Sequence, residues 1–150
     1  MSTVELETMR LELDGPLARL RLNRPEVLNA ANRAWVQDLV AVTDYLAQRV
    51  ETRVVLVSGE GRAFCSGLDT KELAQGKLTV EWFETWERGV TTLVELDAIT
   101  IAAIQGYCLG AVSNWLWRAI CASPAATPSL AFQPSKRVLW PILPRCVLPG

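Results

Sequence analysis

RVVLVSGEGRAFCSGLD, residues 53–69, decides the fold. Its first six residues, RVVLVS, are a short apolar run of the kind that forms a strand buried on both faces. The next eleven, GEGRAFCSGLD (59–69), are glycine-marked loop. The pattern returns at 100–110, where TIAAI reads as a second buried strand and QGYCLG (105–110) as a second glycine loop. Between the two, Thr79 opens a helix that ends near Asp97, with Trp82, Trp86, Val90 and Leu93 facing inward.

Upstream, residues 3–12 and 17–22 (LARLRL) alternate around Asp14-Gly15-Pro16 and predict a β-hairpin. Asn32 caps a helix running to about Val50, with Trp35, Leu39, Val42 and Leu46 on one stripe. Strands alternating with helices predict an α/β fold with a mainly parallel sheet. Ligands of such sheets bind outside the carboxyl ends of the strands, where both glycine loops begin. Glycine lets backbone approach a ligand closely. Two N–H groups from separate loops can then converge on one carbonyl oxygen as an oxyanion hole, which needs no particular side chain. The plain alternative is a pair of tight turns into helices.

Composition narrows the chemistry. A chain of 150 residues is one domain by length, and half of it is apolar. Its 15 Lys and Arg against 16 Asp and Glu give a net charge of −1, which argues against nucleic-acid and anionic-membrane partners. There is no histidine, which removes Ser-His-Asp and Cys-His nucleophile systems and imidazole metal sites. The four cysteines, at 65, 108, 121 and 146, form no CxxC pair, so no metal is expected and a reduced, cytoplasmic protein fits. Cys65 and Cys108 read as buried fillers rather than nucleophiles. The acidic, alternating N-terminus is no signal peptide. Residues 98–117 carry no charge, yet Thr100, Gln105, Ser113 and Asn114 make them too polar for a membrane span.

Three segments, LRLNRPEVLNAAN (20–32), VVLVSGEGRAFCSGLDTKEL (54–73) and AAIQGYCLG (102–110), resemble the enoyl-CoA hydratase/isomerase, or crotonase, superfamily. They fall in the family's order and spacing over residues 4–111. The resemblance implies a crotonase-like spiral of ββα units, acyl-CoA thioester substrates, no separate cofactor (coenzyme A arrives with the substrate), and homotrimers or dimers of trimers. It implies an oxyanion hole from the N–H groups of Leu68 and Ala111, stabilising the enolate of a polarised thioester. Glu26, Leu28, Ala30, Ala63, Ser66, Asp69 and Lys71 match positions flanking coenzyme A, and Gly67, Tyr107 and Gly110 join them as substrate-binding loop residues. Trp82, Phe83 and Trp86 are candidates for an acyl pocket, though their helical spacing also suits plain core. The resemblance further implies that the chain stops before the family's C-terminal helical region.

Beyond residue 111 the chain changes character. All 16 acidic residues lie at or before Asp97, six of eight prolines lie at or after Pro124, and no glycine falls between Gly110 and Gly150. The expected organisation is a crotonase-like core over 1–111 and a divergent, Pro-rich, irregular tail over 112–150. The family's two acid/base glutamates align here with Asn114 and a position near Ser135, and neither side chain shuttles a proton near neutral pH. Loss of one nucleotide near codons 111–113 accounts for this tail. Reading the last base of each codon with the first two of the next, Asn114 permits Glu and residues 114–122 permit (E/Q)-L-A-L-A-C-D-L-R, the family's motif. The second glutamate position then permits only Thr or Ala. The alternative is a divergent natural tail.

These residues predict an acyl-CoA enzyme of enoyl-CoA hydratase/isomerase type, a lyase or isomerase of fatty-acid or related acyl metabolism. The second reading is a non-catalytic acyl-CoA binder or inactive fragment. A membrane-associated protein using residues 98–117 is the third.

Overall fold

A computed structural model of the chain describes residues 2–110, 120–122 and 129–131. In chain order the strands are β1 (Ser2–Glu5), β2 (Met9–Asp14), β3 (Leu17–Leu22), β4 (Val54–Gly59), β5 (Ile99–Ala103), β6 (Tyr107–Leu109), β7 (Ile120–Ala122) and β8 (Ser129–Ala131). The helices are α1 (Arg33–Ala47), α2 (Thr70–Ala74) and α3 (Val80–Glu95), with a single 3-10 turn at Pro25–Val27. Six strands form one sheet in the order β1-β2-β3-β4-β5-β7, and β6 pairs with β8 in a second. The first two pairings are antiparallel, and β3, β4, β5 and β7 run parallel.

The hairpin forms around Asp14-Gly15-Pro16 as its sequence predicts, with Gly15 at φ +55°. Residues 3–12, read as one strand, are instead two, β1 and β2, folded against each other. The turn between them is fixed from outside: Thr8 donates both its N–H and its hydroxyl to Asp38 Oδ2 on α1, each at 2.7 Å. The alternation slips phase at Glu7-Thr8, from Val4 and Leu6 to Met9, Leu11 and Leu13, and that slip is where the chain turns.

Cross-strand register puts Leu11, Leu20, Val57 and Ala102 in one buried row. Onto that side pack the α1 residues Trp35, Leu39, Val42 and Leu46, the stripe expected from sequence. Asn32 caps α1 by accepting the Trp35 N–H at 2.9 Å, and the helix ends at Ala47 rather than near Val50. On α3, Trp82, Trp86 and Leu93 are buried and Val90 partly so. Trp86 stacks on Trp35 with ring centroids 5.2 Å apart, and on Trp82 at 5.7 Å. Gly89 lets the two helices close, since a Cβ there would meet Leu39 at 3.0 Å. Burial of three indoles in one cluster stabilises the helix layer by several kcal/mol, at roughly 25 cal/mol per Å² of apolar surface.

One expectation about β4 is corrected. Val55, Val57 and Gly59 are buried, but Val54, Leu56 and Ser58 are only half-buried, so the strand is not covered on both faces by the described residues. Both long helices belong to one side of the sheet. The other side carries charge on β2 and β3, where Arg21 lies 3.9 Å from Glu12 and 3.5 Å from Glu60. Of the Pro-rich tail, only the backbone pairings of β7 and β8 are described, and each is three residues long.

Candidate active site

Because β3, β4 and β5 run parallel, the three segments that follow them (23–32, 60–69 and 104–110) leave from the same end of the sheet. This is the ligand-binding end of an open α/β sheet. Both glycine loops selected from the sequence are there, joined by the LNRPEVLNAAN segment.

The three segments are tied together mainly through backbone. Cys65 and Cys108 form a parallel bridge in which the Cys65 N–H donates to Tyr107 O and the Leu109 N–H donates to Cys65 O, both at 3.0 Å. Phe64 N–H donates to Gln105 O at 2.8 Å, and the Gln105 amide donates to the Gly59 and Gly61 carbonyls. Two glycines permit this contact. A Cβ on Gly106, which has φ +58°, would sit 2.0 Å from Arg62 O, and one on Gly59 would sit 2.5 Å from Ala63 O.

Asn29 locks the third segment in place. It is fully buried and left-handed at φ +56°, directly after Leu28 at φ +54°. Its side-chain NH2 donates to Glu60 O at 3.0 Å and Ala63 O at 2.9 Å, while its Oδ1 accepts the Arg24 N–H at 2.8 Å. Asn tolerates the left-handed region better than most residues, and here every polar atom of its amide is engaged.

Leu68 pairs with Ala31 in a second parallel bridge. Ala31 N–H donates to Gly67 O at 2.8 Å, and Asp69 N–H donates to Ala31 O at 2.9 Å. In a trans peptide the C=O and the following N–H point opposite ways. Anchoring Gly67 O on Ala31 therefore turns the Leu68 N–H outward, and among the described residues none accepts it. Gly67, at φ +97°, faces Gly110, at φ +74°. A Cβ on Gly110 would lie 3.3 Å from Gly67 Cα, and one on Gly67 would lie 3.3 Å from Leu109 O. The two loops touch at the residues that immediately precede Leu68 and Ala111.

Ala111 and Asn114 lie outside the described residues. Of the other residues selected from sequence, Leu28 and Ser66 are half-buried at this end, and the Ser66 hydroxyl donates to Val27 O at 3.3 Å. Glu26, Lys71 and Tyr107 are exposed. Ala30 and Ala63 are buried, their carbonyls taken by Arg24 and Asn29. Asp69 caps α2, its Oδ1 accepting the Lys71 N–H at 3.1 Å, and its Oδ2 lies 3.2 Å from Arg24 Nη2. Trp82 and Trp86 belong to the core rather than a pocket wall, and the Trp82 indole donates to Asn32 O at 3.0 Å; Phe83 is exposed.

Cys65 is no nucleophile. Burial pushes its thiol up to about 11, against a lesser opposing effect of a hydrogen bond with the Gly67 backbone, and the sulfur sits 3.0 Å from Asn29 O. No three His, Cys, Asp or Glu residues cluster to hold a metal among the described residues. A cleft of about 450 Å³ lies at the opposite end of the sheet, between Leu46–Arg53 and Thr92–Ala98, and includes none of the selected residues. No helix among the described residues is long and apolar enough to cross a membrane.

Sequence reasoning missed Arg24 and Asn29 as organisers. Both stand in the quoted segment, but the partners by which they hold the 60–69 loop lie more than 30 residues away, and no local pattern marks them.

Several known proteins that resemble this chain carry acyl-CoA names. A probable enoyl-CoA hydratase of Mycobacterium bovis is 32% identical over 108 residues, 69% of this chain and 40% of that protein. The mitochondrial Delta(3,5)-Delta(2,4)-dienoyl-CoA isomerase of Rattus norvegicus is 32% identical over 104 residues, 61% of this chain and 32% of the isomerase. Among solved structures, an enoyl-CoA hydratase/carnithine racemase of Magnetospirillum magneticum superposes with a TM-score of 0.72 at 25% identity, over 79% of this chain and 47% of that one. The chain thus spans less than half the length of these relatives. The enoyl-CoA hydratase/isomerase family profile matches residues 12–115, ending close to where the tail departs from the family pattern. With the crotonase-like fold and both glycine loops inside that match, the chain belongs to the enoyl-CoA hydratase/isomerase family.

Proposed function

We propose that this chain binds acyl-CoA thioesters and polarises the thioester carbonyl between the N–H groups of Leu68 and Ala111. The observation that carries the reading is the close approach of Gly67 and Gly110, the residues before both donors, where a Cβ on Gly110 would lie 3.3 Å from Gly67 Cα. The outward-turned Leu68 N–H supports it independently. Two such donors stabilise the negative charge that grows on the thioester oxygen as an enolate forms, and their rigidity spares the cost of reorganisation. Leu28, Ala30, Ser66, Gly67, Tyr107 and Gly110 frame the thioester, with Glu26 flanking coenzyme A and Lys71 at the exposed rim where its phosphates would lie. Ala63 and Asp69 support the loops from beneath.

The reaction class is that of enoyl-CoA hydratases and isomerases, within fatty-acid or related acyl metabolism in the cytoplasm, in a homotrimer or a dimer of trimers. Coenzyme A enters as part of the substrate, with no separate cofactor. Asn114 favours a second reading, an acyl-CoA binder without turnover, because an amide cannot exchange a proton near neutral pH. Calorimetry with crotonyl-CoA beside a hydration assay separates the two. Binding with hydration supports the enzyme, binding without it supports the binder, and no binding refutes both.

A further inference from the structure

We propose that Arg24 is a positioning residue whose guanidinium staples Ala30 to Asp69 and so aims the Leu68 N–H. This rests on Leu68 being an oxyanion donor. Arg24 Nη1 donates to Ala30 O at 2.6 Å, and Nη1 and Nη2 reach Asp69 Oδ2 at 3.3 and 3.2 Å. Ala30 and Asp69 each adjoin one member of the Ala31–Leu68 bridge. One side chain therefore spans both strands of the bridge that sets the Leu68 peptide.

The need for such a staple comes from Gly67. At φ +97° and without a Cβ, the Gly67–Leu68 peptide has little steric resistance to rotation. Its orientation depends on the hydrogen bond from Ala31 N–H to Gly67 O and the one from Asp69 N–H to Ala31 O. Arg24 reinforces both through their neighbours. Its own backbone is fixed by Asn29, which donates its N–H to Arg24 O at 2.9 Å and accepts the Arg24 N–H on Oδ1 at 2.8 Å. The Asp69 carboxylate divides its oxygens, Oδ2 to Arg24 and Oδ1 to the first turn of α2. The pair is mostly shielded, with 17% and 12% of the two side chains exposed, so solvent screens it weakly. A planar fork can serve a carbonyl and a carboxylate together, which a lysine point charge does less well.

The test uses the full chain and a cinnamoyl thioester of coenzyme A, whose conjugated absorption moves to the red when its carbonyl is polarised. In folded Arg24→Gln we expect the red shift to fall below half of the wild-type value. Free coenzyme A, which has no thioester carbonyl to polarise, should still bind Arg24→Gln, since Lys71, placed at its phosphates, is not a partner of the guanidinium. Arg24→Lys should recover part of the shift. A wild-type shift retained in full by Arg24→Gln overturns the role of Arg24 alone. A wild-type chain that binds the thioester without any shift overturns the oxyanion reading beneath it. If Arg24→Gln does not fold, Asp69→Asn, which keeps a capping side chain, is expected to lose the shift in its place. Failure of both variants to fold makes the pair structural and overturns the proposal.

Discussion

Gly67 and Gly110 meet backbone to backbone: a Cβ placed on Gly110 would lie 3.3 Å from the Cα of Gly67. Both have positive φ, so neither position accepts a side chain without strain on two counts. Gly110→Ala should lower stability by about 1–3 kcal/mol while the sheet core stays folded. Its thioester affinity should fall by about tenfold or more, because a displacement near 1 Å spoils donor geometry. Thermal unfolding with calorimetric titration of an acyl-CoA checks both, and unchanged affinity in a strained but folded variant contradicts the site.

Asn29 offers a stability test of the scaffold. Asn29→Ala leaves the Glu60 and Ala63 carbonyls without their side-chain donor and puts alanine at φ +56°. The buried Ala63 acceptor left unsatisfied costs about 1–3 kcal/mol, the solvent-accessible Glu60 one less, and the left-handed backbone adds about 1 more. Asn29→Gly relieves the backbone but not the acceptors. Urea unfolding should rank wild type above Asn29→Gly, and Asn29→Gly above Asn29→Ala.

These loops show what the sequence alone can and cannot convey. The α1 stripe, its Asn32 cap and the β2–β3 turn are local, governed by periodicity and turn chemistry within a few residues. They were legible. The split of residues 3–12 into two strands is marked locally only by a slip of the alternation at Glu7-Thr8, and the partner that holds the turn, Asp38, lies 30 residues from Thr8. The half-covered face of β4 escaped for a similar reason, since valine alternation does not say how many layers lie above a strand. The glycine loops were legible as loops. The bonds that hold these loops together come from Arg24, Asn29 and Ala31 across the sheet end, and a single sequence does not record pairings.

The indole cluster separates core from candidate pocket wall. Trp86 is 6% exposed and Phe83 44% exposed on the same helix. Trp86→Ala should cost about 3–5 kcal/mol, and Phe83→Ala about 1 kcal/mol or less. Chemical denaturation measures both. A large loss at Phe83 would mean that it packs more tightly than its exposure indicates.

Cys65 predicts an alkaline loss of stability. The unfolded chain releases this proton near 9.0, whereas the buried thiol holds it to about pH 11. The native state then binds more protons than the unfolded state between those values. Stability from the neutral thiol is complete below pH 9 and falls as pH rises towards 11, by about 2–3 kcal/mol in all at 1.36 kcal/mol per unit. Cys65→Ala should flatten this part of the profile relative to wild type, while tyrosine and lysine titrations remain common to both. Equal slopes in the two proteins would show that Cys65 ionises as easily folded as unfolded.

The last prediction concerns the gene. The family match ends at residue 115, and from there the chain lacks both acidic residues and internal glycines. Single-base insertion near codons 111–113 should open a frame reading E-L-A-L-A-C-D-L-R across 114–122, with a further G-L-P-(T/A)-V-K-E-G-L across 131–139. DNA sequencing decides this directly, and codons that offer no single-base route to the first motif end the idea. The repaired protein would regain Glu at position 114 but carry Thr or Ala at the second glutamate position, since that codon joins the A or G that ends a Gln133 codon to the CC that starts Pro134. One positioned proton-transfer group contributes about 10²–10⁴-fold to rate. Crotonyl-CoA hydration by the repaired chain should therefore stay at least about a hundredfold below that of a two-glutamate relative assayed beside it. Reactions that need a single acid or base, such as double-bond isomerisation, should benefit more from the repair than hydration does.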